Sequence, residues 1–122
     1  MQTTRQTIQR IAAEDADFVV LGGDIVDLFT TRAEMEEVFA LFGAMDTPVC
    51  FIYGNHDRQT DCSDNERTFT SGELERVICA NGIQILQDEW VRLSDDLVLF
   101  GREDYSMETR KRLDKIAPRP EE

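Results

Sequence analysis

Histidine is nearly missing from this chain: His56 is the only one among 122 residues. That excludes a site built from several imidazoles of this chain. The three cysteines, Cys50, Cys62 and Cys79, form no Cys-x-x-Cys pair and are odd in number, so neither a disulfide framework nor a structural zinc site is expected. Cys50 and Cys79 lie in apolar runs and read as buried thiols. Basic residues are outnumbered, 13 Lys and Arg against 25 Asp and Glu, and the net charge is −12. A chain this acidic repels a phosphate backbone, which excludes nucleic-acid binding by a basic face. No run approaches the roughly eighteen apolar residues of a membrane span, and no basic-then-apolar leader opens the sequence. As it stands the sequence reads as cytoplasmic, with membrane association of a longer form left open.

What is present suits one domain over residues 1–122. Hydrophobic residues make up 41% of the chain, enough for a core. Residues 5–14 set Ile8, Ile11 and Ala12 at helical spacing. Phe18–Leu21 is a short, largely β-branched run closed by Gly22-Gly23, which suits a buried strand. Thr31-Arg-Ala-Glu34 has the form of a capping box, and the helix behind it aligns Met35, Val38, Phe39 and Phe42. Pro48 blocks continuation, and Val49–Tyr53 is a second strand. Residues 55–70 are polar and aperiodic and read as a long loop. Thr70-Ser-Gly-Glu73 opens another helix with Leu74, Val77 and Ile78 inward, closed by Asn81-Gly82. Ile83–Leu86 reads as a third strand, and Glu89–Leu93 with Leu97–Gly101 as a β-hairpin. A weaker helix is expected near 106–116, ended by Pro118 and Pro120. The order predicts an α/β sandwich, with parallel strands and crossover helices first and a hairpin after.

That order has a consequence for chemistry. Ligands of open α/β sheets bind where strands end at their C-terminal rim. The two most polar strand exits are Gly22-Gly23-Asp24 and Gly54-Asn55-His56-Asp57, and adjacency of the strands would set them side by side. Each motif alone is equally well a turn. Together they suit a metal site. The two oxygens of one carboxylate can bridge two divalent ions held roughly 3.5–4 Å apart. The amide oxygen of Asn55 is a neutral hard ligand. The imidazole of His56 can donate to a phosphoryl oxygen or protonate a leaving group, and Asp57 could orient it.

Phe18-Val-Val-Leu-Gly-Gly-Asp-Ile-Val-Asp27, a helix, and then Phe51-Ile-Tyr-Gly-Asn-His-Asp57 resemble the calcineurin-like metallophosphoesterases, whose Gly-Asp-x-x-Asp and Gly-Asn-His-Asp/Glu motifs have this spacing. The resemblance implies phosphomonoester or phosphodiester hydrolysis at a dinuclear centre of Mn, Fe or Zn. It implies Asp24 as the bridging ligand, Asn55 as a ligand to one ion, His56 on the phosphate and Asp57 behind His56. Asp27 would support the loop. The implied substrate is a small-molecule or lipid-linked phosphoester. The stretch Asn81-Gly-Ile-Gln-Ile-Leu86, the hairpin and Gly101-Arg-Glu-Asp104 look like a bacterial branch of the family, some of whose members are tethered to membranes.

The same resemblance shows what this sequence lacks. The family also uses an Asp-x-His motif before the first helix, a later His, and a Gly-His-x-His motif, and a chain with one histidine has none of them. The expectation is therefore a partial domain, the middle portion of the family fold. Three accounts stay open: a piece of a longer enzyme, a short protein completed by a partner chain, or a non-catalytic interaction or phosphate-binding module. A sheet without all its neighbours is also expected to associate with itself through exposed edges.

Overall fold

The computed structural model describes residues 2–58, 68–103, 111, 112 and 115. Helix α1, Gln2–Ala12, leads into strand β1, Val19–Leu21. Helix α2, Arg32–Gly43, carries the chain to β2, Val49–Phe51, and a single helical turn follows as α3, Asn55–Arg58. Helix α4, Ser71–Ala80, leads to β3, Gln84–Ile85, and then to the hairpin of β4, Glu89–Ser94, and β5, Leu97–Gly101. The three short strands form a parallel sheet in the order β1-β2-β3, with Val20 opposite Cys50 and Cys50 opposite Gln84. The hairpin is antiparallel. This is the α/β architecture that the alternation of elements predicts.

Local chemistry explains where the long helices start and stop. Both expected capping boxes form: the hydroxyls of Thr31 and Thr70 accept from the amides of Glu34 and Glu73, whose carboxylates accept from the threonine amides in return. Such a cap stabilises by about 1 kcal/mol. Helix α4 ends where Gly82 takes a φ of +74°, with its amide donating to Cys79 O and the Ile83 amide to Ile78 O, a Schellman closure.

The core lies between the sheet and the helices. Met35, Val38, Phe39 and Phe42 of α2, Leu74 and Ile78 of α4 and Ile8 of α1 are buried against Leu21, Val49 and Phe51. Phe51 meets Phe39 and Tyr53 edge-on, at ring-centre distances of 5.6 and 5.0 Å. Two ion pairs tie the helices across their outer faces, Arg5–Glu37 and Arg32–Glu73.

Four expectations need correction. The segment read as a loop from 55 opens as the helical turn α3, because four residues are too few to show a period; residues 59–67 lie outside the described residues. Ala12 and Cys79 are exposed, since each apolar run there continues past the face that its helix buries. Strand β1 is not covered on both faces: Leu21 faces the helices, while Val20 on the other side is 39% exposed. The strands are also shorter than the apolar runs that signalled them, because pairing stops where the turns begin. The helix expected near 106–116, the prolines after it and Cys62 lie outside the described residues.

Candidate active site

Strands β1 and β2 run parallel and are neighbours, so the turns after Leu21 and after Phe51 leave the same edge of the sheet. The Ile52 amide still donates to Leu21 O at 3.0 Å, so the ladder extends to the point where the turns begin. The backbones then come into contact. A Cβ on Gly23, whose φ is +105°, would stand 2.9 Å from Gly54 N, and one on Gly54 would overlap the Asp24 carboxylate. Only glycine permits this approach at both positions.

Asp24 itself takes a φ of +56°. This left-handed conformation costs an L-residue about 1–2 kcal/mol, least for Asp and Asn. Two contacts hold it there. Its amide donates to Asp57 Oδ2 at 2.6 Å, and its own Oδ1 accepts the His56 amide at 3.0 Å. The carboxylate of Asp24 therefore accepts one amide of α3, that of His56, and the residue stays exposed.

Asp57 sits beneath both turns and is completely buried. Its Oδ2 accepts from the amides of Asp24 and Gly54, at 2.6 and 2.8 Å, and its Oδ1 from those of Ile25 and Val26, at 2.9 and 3.0 Å. One side chain thus gathers four main-chain donors from two loops. Burial pushes its carboxyl above the usual carboxylate range, and the amides of Val26, Gly54, Asp24 and Ile25 pull it back down. Nothing in the spacing of Gly-Asn-His-Asp announced this task. The available signal was the density of glycine around both acids, which marks backbones approaching closely.

Asn55 and His56 occupy the first two positions of α3 and are both exposed. The structure thus brings Asp24, Asn55, His56 and Asp57 to one rim. Asp27 stands apart from them in role. Its Oδ1 accepts from the Phe29 amide and the Thr30 hydroxyl, so it closes its own loop.

These residues do not by themselves make a two-ion centre. Among the described residues no three His, Cys, Asp or Glu side chains converge on a point where a metal could sit. One exposed carboxylate and one amide fall short of the roughly three protein ligands each ion commonly takes. Among the described residues no helix is long and apolar enough to cross a membrane.

The family model described as calcineurin-like phosphoesterase matches residues 1–120. No curated protein and no solved structure matches the chain.

Proposed function

The chain belongs to the calcineurin-like phosphoesterase family, a family of hydrolases that generally use divalent metals, and from that membership we propose that it supplies two turns of a phosphoester hydrolase site. In this reading Asp24 and Asn55 are the metal ligands that the chain contributes, and His56 contacts the phosphoryl group. Asp57 fixes the register of the two turns. The substrate is a phosphomonoester or phosphodiester of a small molecule or a lipid. The remaining ligands come from outside the described residues, and the only histidine of the sequence is already engaged in the proposal.

The observation that supports this reading is the bond from the His56 amide to the Asp24 carboxylate, backed by the Asp57 staple. It sets an acid and an imidazole-bearing turn together at the sheet rim, where α/β folds place their ligands. The chain's own contribution is preorganisation. Asp24 is held in a costly backbone conformation before any ligand arrives, so less ordering remains to be done on binding.

Titration of the chain with Mn(II), following paramagnetic broadening of backbone amide signals, tests the assignment. Broadening centred on residues 22–25 and 54–57, and lost in Asp24→Ala, is expected. Broadening spread over the acidic surface, unchanged in that variant, would sink it.

The short ligand set favours a second reading, a module that binds phosphate and does not hydrolyse its ester. Inorganic phosphate shifting the amides of Asn55 and His56, with no turnover of p-nitrophenyl phosphate under any divalent metal or added partner, would select it.

A further inference from the structure

Three residues beyond Asp24, the loop that Asp57 pins in place carries a second feature. A cavity of about 270 Å³ opens between this loop and helices α1 and α2. Ile25, Val26 and Val38 supply apolar wall, and Phe29 stands at the cavity with 86% of its surface exposed. No other described large hydrophobic side chain is so exposed. Its position is fixed by hydrogen bonds. The Phe29 amide donates to Asp27 Oδ1, the Thr30 amide to Asp27 O, and the Thr30 hydroxyl to Asp27 Oδ1. A tight, self-bonded turn therefore holds an aromatic ring out in water.

The charged side chains among the described lining residues are both acids. Asp27 and Glu34 both line the cavity, and among the described residues that line it there is no Lys or Arg. Among the described residues their carboxylates accept hydrogen bonds from neutral groups, the Phe29 amide and Thr30 hydroxyl for Asp27 and the Thr31 amide for Glu34. The nearby arginines are engaged elsewhere, Arg5 with Glu37 and Arg32 with Glu73. Two carboxylates at one cavity favour a cation there over an anion or a neutral group. An aromatic face beside carboxylates, with apolar wall for methyl groups, is the arrangement that recognises organic ammonium ions.

We propose that this cavity binds a small quaternary or alkylated ammonium group. In the phosphoester reading, on which this last step rests, the group belongs to the amino-alcohol part of the substrate, held next to the Asp24 turn. The binding itself does not depend on hydrolysis.

Choline chloride titrated into the isotope-labelled chain, followed by backbone amide shifts, tests the site. Saturable shifts clustered at residues 25–30 and 34 are expected. The neutral isostere, with carbon in place of the quaternary nitrogen, should bind roughly two- to fivefold more weakly, the range of an exposed cation–aromatic contact. Phe29→Ala removes an exposed ring and Asp27→Asn keeps the oxygen that closes the turn, so both variants should fold, and each should weaken choline by a similar factor. Equal binding of choline and its isostere, or no movement of these amides at tens of millimolar choline, would overturn the proposal. Choline binding without Mn(II) broadening at residues 22–25 and 54–57 supports the cation site and removes the hydrolase reading. That broadening without choline binding does the reverse.

Discussion

The carboxylate of Asp57 reaches across 33 residues of sequence to the amide of Asp24, at 2.6 Å, and the same oxygen accepts from Gly54 at 2.8 Å. One buried side chain therefore fixes the spacing of two turns that the sheet alone would only bring near each other. Asp57→Ala leaves four main-chain amides, one buried and three partly buried, without their acceptor. Asp57→Asn fares little better, since its NH2 would meet amide donors on one side. Each variant should lose about 3–5 kcal/mol, a large part of a domain's usual 5–15. Urea unfolding measures this, and a loss under about 1 kcal/mol would mean that the turns hold their place without the carboxylate.

Gly54→Ala tests the contact between the turns. The new methyl would collide with the Asp24 carboxylate and stand 2.7 Å from the Asp24 amide nitrogen. A cost of about 1–3 kcal/mol is expected, with the amide signals of Asp24 and His56 shifted. Gly22→Ala is the matched control, because a Cβ there meets nothing within 4 Å. It should be neutral or stabilise by about 0.4–1 kcal/mol.

Acid should act through Glu73. The Arg32 guanidinium, the Thr70 amide and the Thr70 hydroxyl hold its carboxyl below the usual range. A lowered folded value contributes stability above the unfolded pKa, about 4.3, that is lost as pH falls through the folded value. Asp57 runs the other way: its raised value favours the fold below about 3.9, and that contribution is lost as pH rises through its folded value. Urea midpoints of the parent and Glu73→Gln should differ at pH 7 and converge near pH 3. A gap that persists in acid would remove Glu73 from the account.

Metal addition or removal should barely move the melting temperature. With the ligand set described, binding no tighter than about millimolar gives at most about 0.4 kcal/mol at 1 mM Mn(II), or a shift of up to about 3 °C. Thermal melts with Mn(II) and with a chelator check this. A larger shift, abolished in Asp24→Ala, would show that other groups complete the site.

Association should rise with salt. Val20 on an outer strand of the sheet, with Leu97 and Phe100 of the hairpin, leaves apolar surface in water, while the charge of −12 keeps copies apart. Screening shortens that repulsion to about 10 Å at 0.1 M salt. Sedimentation at low and moderate salt should show mass increasing in the parent and less so in Val20→Lys. A monomer in both conditions would mean that the edge is inert.

The helices were legible because their signals are local. Thr31 with Glu34 and Thr70 with Glu73 state their own geometry, and Asn81-Gly82 announces the turn that follows. The proximity of Asp24 and Gly54 was legible through the βαβ rule, which needs only two strands and the helix between them. The role of Asp57 was not, because a carboxylate that binds main-chain amides leaves no pattern in the residues that it binds. The exposure of Val20 was hidden for a related reason: an apolar strand has the same sequence whether one face is covered or two. The cavity beside Phe29 depends on a helix that precedes it by more than a dozen residues, and no short window contains both.

The Asp57 staple also bears on how the molecule breathes. Amides of both turns, on either side of a 30-residue excursion, converge on one carboxylate, so a fluctuation that frees one turn removes the anchor of the other. The amides of Asp24, Ile25, Val26 and Gly54 should then open as a single cooperative unit, with one shared opening free energy in native-state hydrogen exchange. Half of this site cannot come loose while the other half waits in place.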